Sequence, residues 1–492
     1  MRSAHTVHDV RAAEAALMAR LPEGALMQRA ATGLAAVCAG VLGGAYGTRV
    51  VLLVGSGANG GDALYAGARL ARRGASVTAV LLSPGKAYPD GLAALRSAGG
   101  RTTGDPAAGE ELVRRADLVV DGIVGIGGRG GLRGAAVPLA RAAAGSGAAV
   151  VAVDLPSGVD ADTGEVAGEA VRADVTVTFG THKPGLLVDP AAGFAGTVHL
   201  VDIGLGPDLP GPAVQALQHA DVAALLPVPG ARSDKYRRGV LGVAAGSARY
   251  PGAAVLAVAG ALHGGAGAVR YAGSAAREVI ARFPETLVST GRPSQAGRVQ
   301  AWAVGPGAGE DASARVALED ALASDVPVLV DADGLRHLKG LGRPARGALA
   351  GRTAEVLLTP HAGEAAALLD VAREDVEARR LEHVRRLADA YGATVLLKGS
   401  TTLVAAPGGG PVRANPTGTG WLATAGSGDV LSGLAGSLLA SGLSAFDAGS
   451  AAAYLHGLAG RRAAGRDGAP FGAHELAGEL PAAWRDVRGA AH

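Results

Sequence analysis

Two α/β domains in one chain are what the sequence predicts, and three observations predict them. The chain of 492 residues is about two to four times a usual domain length. Short apolar runs alternate with helical patterns and end in Gly-rich or polar loops, which is the grammar of a mostly parallel sheet with helices on both faces. That grammar stops at a proline cluster, Pro207, Pro210, Pro212, Pro227 and Pro229, and restarts beyond it. The boundary is expected near 206–236, giving domains over 1–210 and 225–492.

The elements follow in order. Residues before 49 read as two helices, HDVRAAEAALMARL and GALMQRAATGLAAVCAGVL. From Arg49 an apolar run, a glycine loop, a helical segment and a second apolar run form one βαβ unit, RVVLLVGSGANGGDALYAGARLARRGASVTAVLL. Further runs end at Asp121, Asp154, Phe179 and Asp202. In the second half, GVLGVAAGS, RVQAWAVGPGAG, VPVLVDADGL, AEVLLTPHAGE and ATVLLKGST repeat the strand-then-loop pattern. The most apolar long stretch, 252–269, is broken by His263 and several glycines and reads as a buried helix and turn, not a membrane span. In open parallel sheets ligands bind beyond the carboxyl ends of strands, so function is sought in those loops.

Composition excludes several classes. The balance of 46 basic and 44 acidic side chains leaves +2, with no clustered basic stripe to meet nucleic acid. Cys38, flanked by Ala36, Val37 and Ala39, has no second cysteine to pair with and reads as a core thiol of a reducing compartment. The start, MRSAHTVHDV, lacks the charged and apolar regions of a secretory signal, so a cytoplasmic protein is expected. Only five lysines occur, at 86, 183, 235, 339 and 398, among many arginines, and lysines that persist under that bias attract attention.

The loop Gly55-Ser56-Gly57-Ala58-Asn59-Gly60 matches a dinucleotide fingerprint, GxGxxG after a strand. It fails one test: the second strand ends at Ser83-Pro84-Gly85, without the acid that takes ribose hydroxyls. Asp62 also puts a carboxylate where a pyrophosphate would approach. Two more strand-end loops follow, Asp121 through Gly131 and Asp154 through Asp160. Asn59, Asp121 and Ser157 offer hard oxygen donors suited to an alkali cation or a water cluster, whereas no Cys/His set exists for zinc. Each of these residues could instead simply cap a helix or turn.

Together VGSGANGGDAL, VDGIVGIGGRG, VDLPSGVD and THKPGLLVDP, after a helix containing LMQRA, resemble the NAD(P)H-hydrate epimerase family over nearly all of residues 1–205. The resemblance implies a Rossmann-like three-layer αβα sandwich, a potassium ion, and interconversion of the R and S hydrates of NADH and NADPH. It implies that Ala58, Asn59, Gly60, Gly61 and Asp62, with Gly125, Ile126, Gly127, Gly128, Arg129, Gly130 and Gly131, hold the hydrate. Asp154 contacts it and is a catalytic candidate, and Asn59, Asp121 and Ser157 ligate potassium. Ala58 and Ala63 stand where the family usually shows Asn and Gly. Either Asp154 or Asp121 could assist loss and return of the hydroxyl, and the sequence leaves that choice open.

The strongest signal lies in the second half, Ala425-Gly426-Ser427-Gly428-Asp429 ahead of an apolar helix. Backbone N–H groups at such a helix start can cradle a phosphoryl group. Asp429, expected to be kept ionised by the helix dipole, can take a proton from an attacking hydroxyl; its alternative is a helix cap. Lys398-Gly399-Ser400-Thr401-Thr402 offers a cation and hydroxyls for nucleotide phosphates, and His361 sits in a third strand-end loop.

These motifs, with VGPGAG and DADGL, resemble the ADP-dependent NAD(P)H-hydrate dehydratase family, a ribokinase-like α/β fold, over about residues 230–485. The resemblance implies that Ala253, Gly307, His361 and Asp429 contact the hydrate, and that residues 398–402 with Gly428 bind ADP, with magnesium. Asp234 stands where the family commonly has His, and Ser427 where it has Thr. The whole is expected to be a bifunctional repair enzyme of NADH hydrate and NADPH hydrate, homo-oligomeric, using an adenine nucleotide and touching neither nucleic acid nor membrane. The rivals are a small-molecule kinase with a fused Rossmann domain, and a first domain that binds without turnover.

Overall fold

Alternating apolar side chains give the strand Arg49–Val54 two buried faces. Val50, Leu52 and Val54 enter one core, Val51 and Leu53 the other. The computed structural model describes residues 1–341, 349 and 351–489, so the last three residues of the expected second domain lie outside it. The chain divides into two compact units, Ser3–Val214, and Gln215–His492 together with Met1–Arg2.

In the first unit the strands run, across the sheet, Arg101–Thr103, Ser76–Leu81, Arg49–Val54, Leu118–Gly122, Ala149–Val153, Val175–Phe179 and Thr197–Val201, every neighbouring pair parallel. The helices Val7–Met18, Ala25–Val41 and Ala58–Arg72 supply side chains to the core on one face, and Pro106–Arg114 and Ala136–Ala144 to that on the other. This is the expected three-layer sandwich. Strand order reverses at Arg49–Val54, between Ser76–Leu81 and Leu118–Gly122, the kind of switch point beside which open parallel sheets bind ligands. Cys38 is buried in the core, where desolvation pushes its thiol up to about 12.

The strands of the second unit run Val412–Asn415, Thr402–Ala405, Thr394–Leu397, Val356–Leu358, Val328–Val330, Ala301–Val304, Val240–Ala244, Ala268–Ala272 and Leu287–Ser289. All neighbours are parallel except the two pairs that Thr402–Ala405 makes. The apolar stretch 252–269 resolves into the helix Pro251–His263, a turn, and the start of the strand Ala268–Ala272, rather than a helix and turn alone. That helix lies tightly on Ser427–Ala440: a Cβ at Gly260 would collide with the carbonyl of Val430, and one at Gly433 with that of Ala257. The segment between the two expected domains does not stay outside a core. Leu217, Val222 and Leu226 are buried with the second unit's helices, because the prolines flank a short amphipathic helix, His219–Leu225. Among the described residues no helix is long and apolar enough to cross a membrane.

Candidate active sites

In the first unit, the glycine loop after Arg49–Val54 starts the helix Ala58–Arg72 and brings Asn59 against the neighbouring strand-end loop. A Cβ on Gly55 would strike the carbonyl of Ile123, and one on Gly125 would lie 2.8 Å from Asn59 Oδ1. Only glycine permits this approach. Asp121, at the end of Leu118–Gly122, is fully buried and accepts from Ser157 Oγ at 2.7 Å, Ser157 N at 2.8 Å and Ile123 N at 3.3 Å. Val124 N in turn donates to Ser157 Oγ at 3.0 Å. Burial, opposed by these donors, raises the Asp121 carboxyl to about 6. Asn59, Asp121 and Ser157 therefore lie where the loops of two adjacent strands and Ala149–Val153 converge. The Asn59 Nδ2 is buried without a partner, and a half-turn of the amide would present its oxygen instead. This all-oxygen set fits an alkali cation, although no group of three or more His, Cys, Asp or Glu among the described residues could hold a metal.

Asp154 follows the strand Ala149–Val153 with φ of +65°, a left-handed conformation that costs a non-glycine residue about 1–3 kcal/mol and clusters at functional sites. Its Oδ1 accepts from Lys183 Nζ, from Thr178 Oγ1 at 3.0 Å and from Phe179 N at 3.3 Å. Lys183 is 1% exposed and also donates to Thr178 Oγ1 at 3.0 Å and Phe179 O at 3.1 Å, so three acceptors meet the three protons of an ammonium. Sequence reasoning quoted Lys183 within THKPG but gave it no role; its survival as one of five lysines was the available signal. Ala58, Gly60, Gly61 and Asp62 occupy the first turns of the helix, where Gly61 faces Met27 and Tyr88. Gly127 lies beside Arg11, and Gly131 beside Gly168, while Gly128 folds onto Val124 and Gly125, with Arg129 exposed. Ile126 is half-buried, and Gly130 takes φ of +70°.

In the second unit, Gly426 at φ of +86° turns the chain into the helix Ser427–Ala440, leaving the first-turn N–H groups of Gly428 and Asp429 clear of intrahelical partners, while Ser427 N donates to Thr424 O at 3.4 Å. Ser427 Oγ donates to Leu422 O at 2.8 Å, and the buried His456 ring nitrogen lies 2.9 Å from Ser427 O. Burial lowers the His456 imidazole to about 4, which makes it a neutral strut under the loop. Lys398 Nζ is 2.7 Å from Asp331 Oδ1 and 3.7 Å from Glu364 Oε2, and a Cβ on Gly428 would lie 3.5 Å from it. Burial opposes the Lys398 charge, but Asp331 and Glu364 outweigh it and raise the ammonium. Ser432 Oγ donates to Asp331 Oδ2 at 2.6 Å, which locks the aspartate to the helix.

The helix dipole does not hold Asp429 low. Burial first, and the Asp331 charge second, raise its carboxyl to about 7 despite Lys398, because the helix start is desolvated. Asp331, within DADGL, and His456 carried no role in the sequence reading; both became legible only when distant strands met.

Gly307, at φ of +58°, presses on Ala253, so those two expected residues meet. His361 caps the helix Ala362–Leu369, its Nδ1 accepting from Gly363 N at 3.0 Å and Glu364 N at 3.2 Å, while its ring remains exposed. Gly399 and Ser400 are exposed and Thr402 half-buried; Thr401 is buried, with its carbonyl accepting from Arg380 at 3.2 Å. Ser400 and Thr402 are therefore the accessible hydroxyls of the loop.

The profile of the NAD(P)H-hydrate dehydratase family matches residues 241–482, and that of the YjeF-related protein N-terminus matches residues 23–185. The bifunctional NAD(P)H-hydrate repair enzyme of Mycobacterium leprae is 51% identical over 461 residues, covering 93% of this chain and 93% of that protein. Its Corynebacterium glutamicum counterpart is 38% identical, over 80% of this chain and 78% of its own. A ribokinase-like superfamily protein from Enterococcus faecalis V583 superposes with a TM-score of 0.50 at 23% identity, over 57% of this chain and 98% of its own, and shares the fold of the second unit. The ADP/ATP-dependent NAD(P)H-hydrate dehydratase of Bacillus subtilis, co-crystallised with ATP and Mg2+, gives 0.48 at 30% identity, over 56% and 99%. Matches of both regions to one named relative do not favour a lone kinase with an idle first domain.

Proposed function

The chain belongs to the family of bifunctional NAD(P)H-hydrate repair enzymes, and from that premise we propose that its two units act in succession on damaged nicotinamide nucleotides. The first interconverts the R and S hydrates of NADH and NADPH. The second dehydrates the S hydrate with ADP, giving AMP and phosphate.

The observation that carries this reading is the convergence of Asp429, Lys398 and the first-turn N–H groups of Gly428 and Asp429 at one strand-end site. Asp429 takes the proton of the hydrate hydroxyl as its oxygen attacks the terminal phosphoryl group of ADP. Lys398, steadied by Asp331, and the helix N–H groups neutralise charge on that group as it moves. The phosphate ester then breaks down: the ring nitrogen lone pair expels phosphate, and loss of a ring proton restores the reduced nicotinamide. On this reading the accessible hydroxyls of Ser400 and Thr402 bind the nucleotide, and Ala253, Gly307 and His361 meet the hydrate. Magnesium, when bound with the nucleotide, neutralises phosphate charge and keeps most of its ligands as water.

In the first unit, Asn59, Asp121 and Ser157 would hold potassium, which supplies a fixed positive charge between the loops. Residues 58–62 and 125–131 form the hydrate cradle, and Asp154 reaches the reacting carbon. The single buried thiol suits a reducing compartment, and we infer a cytoplasmic enzyme.

Purified protein given S hydrate, magnesium and ADP should regain reduced-nicotinamide absorbance as AMP accumulates; no absorbance gain would refute the dehydratase. Potassium chloride, against equal sodium chloride, should raise the unfolding temperature of the wild type and not of Asp121→Ala. An equal response in both proteins would refute the cation assignment.

A further inference from the structure

Three acidic side chains and one ammonium share the floor of the first site. Glu14 comes from the helix Val7–Met18, Asp62 from the first turns of Ala58–Arg72, and Asp154 and Lys183 from strand-end loops. The charges of Asp154 and Lys183 act on both Glu14 and Asp62. Lys183 is spent on Asp154, Thr178 and Phe179, and Asp154 also accepts from Thr178 Oγ1 and Phe179 N. Asp62 has no such support: it is 9% exposed, and its Oδ1 is buried with no hydrogen-bond partner. With Lys183 spent on Asp154, no donor meets the buried Asp62 Oδ1, and the proton stays on the group that lacks donors.

We propose that Asp62 is the proton donor of the epimerase reaction and Asp154 the matching acceptor. This rests on the epimerase reading above. The Asp62 carboxyl, still 9% exposed and with one oxygen unpartnered, is the group that can give a proton to a hydroxyl lodged in the 58–62 cradle. The carbon–oxygen bond beside the ring nitrogen breaks as the nitrogen lone pair forms a carbon–nitrogen double bond. The leaving oxygen takes the Asp62 proton and departs as water. Water then adds to the opposite face, the double-bond pair returns to nitrogen, and the surplus proton of that water passes to Asp154. The configuration is inverted and no redox change occurs. The reverse inversion runs with the two carboxyl groups exchanged, and a proton passing between them through water resets the site.

The electrostatics agree with the geometry. Burial, then the charges of Asp154 and Glu14, hold the Asp62 carboxyl well above the usual carboxylate range, with Lys183 opposing them. Burial raises Glu14 too, against Lys183 and Arg11. Asp121 does not compete for this role, since Ser157 and Ile123 already give it three hydrogen bonds that favour its ionised form.

The test follows R hydrate turning into S by chromatography, without nucleotide and with the enzyme-free rate subtracted. Wild-type epimerisation, followed across a range of pH, should fall on the alkaline side as Asp62 loses its proton. Asp62→Asn keeps the side-chain shape and should bind R hydrate in equilibrium dialysis, yet epimerise roughly 10²-fold more slowly with that alkaline limb gone. A wild-type rate flat or rising across that range, or a variant within about threefold of wild type, would overturn the assignment. The wild-type profile decides the matter even if the variant fails to bind. No epimerisation above the enzyme-free rate at any pH would instead refute the epimerase reading itself.

Discussion

Each unit sets a lysine against a buried aspartate at the carboxyl end of a parallel strand, beside the start of a glycine-entered helix, but the two lysines are used differently. Lys183 is enclosed and gives its protons to Asp154, Thr178 Oγ1 and Phe179 O. Lys398 keeps its side chain 20% exposed, makes one short pair with Asp331, and faces the Gly428 loop. A saturated ammonium fixes a carboxylate and leaves nothing for an anionic ligand, whereas one with capacity left can meet a phosphoryl group. The first arrangement suits proton movement on an uncharged hydroxyl, the second phosphoryl transfer.

Breaking the two pairs separates these uses. Lys183→Met strands Asp154 in the core and should destabilise the first unit by about 3–5 kcal/mol, read from denaturant unfolding. Lys398→Met should cost much less stability, because its end of the site opens to solvent, but should raise KM for ADP. Equal stability losses would erase the distinction. Asp429→Asn should retain nucleotide binding and lower the dehydration kcat by roughly 10²-fold or more, whereas near-normal turnover would reduce Asp429 to a helix cap.

A smaller effect sharpens the electrostatic side. Asp429 acts as a base only when ionised, and burial with the Asp331 charge raises it to about 7, so kcat/KM for dehydration should decline as pH falls through that value. Asp331→Asn removes a negative neighbour and should move that limb to lower pH. A limb that stays in place would mean Asp331 does not act on Asp429. The smallest change is expected from Ser427→Thr: the hydroxyl can still reach Leu422 O, and turnover should stay within about twofold.

Much of this was legible before any coordinates. The runs ending at Asp121, Asp154 and Lys398 are strands because Val and Leu fill them continuously, and the glycines after them could only be turns. The antiparallel pairing of Thr402–Ala405 was not legible, since a four-residue strand reads the same in either direction. Asp331 and Lys398 stand 67 residues apart, and no local pattern announces that they meet. The rise of the Asp429 carboxyl was not legible, because a helix start says nothing about how deeply it is buried. Lys183 was visible as a rare lysine, but its partner Asp154 is 29 residues away in a conformation only the fold imposes.

The division of labour between the two sites is tested most directly by an equal mixture of R and S hydrates with ADP and magnesium. The wild type should consume both forms, releasing inorganic phosphate one for one with regained nicotinamide absorbance. Asp121→Ala should stop once S is exhausted and continue only at the spontaneous epimerisation rate. A stable phosphorylated product, or a variant that consumes R as fast as the wild type, would contradict the account.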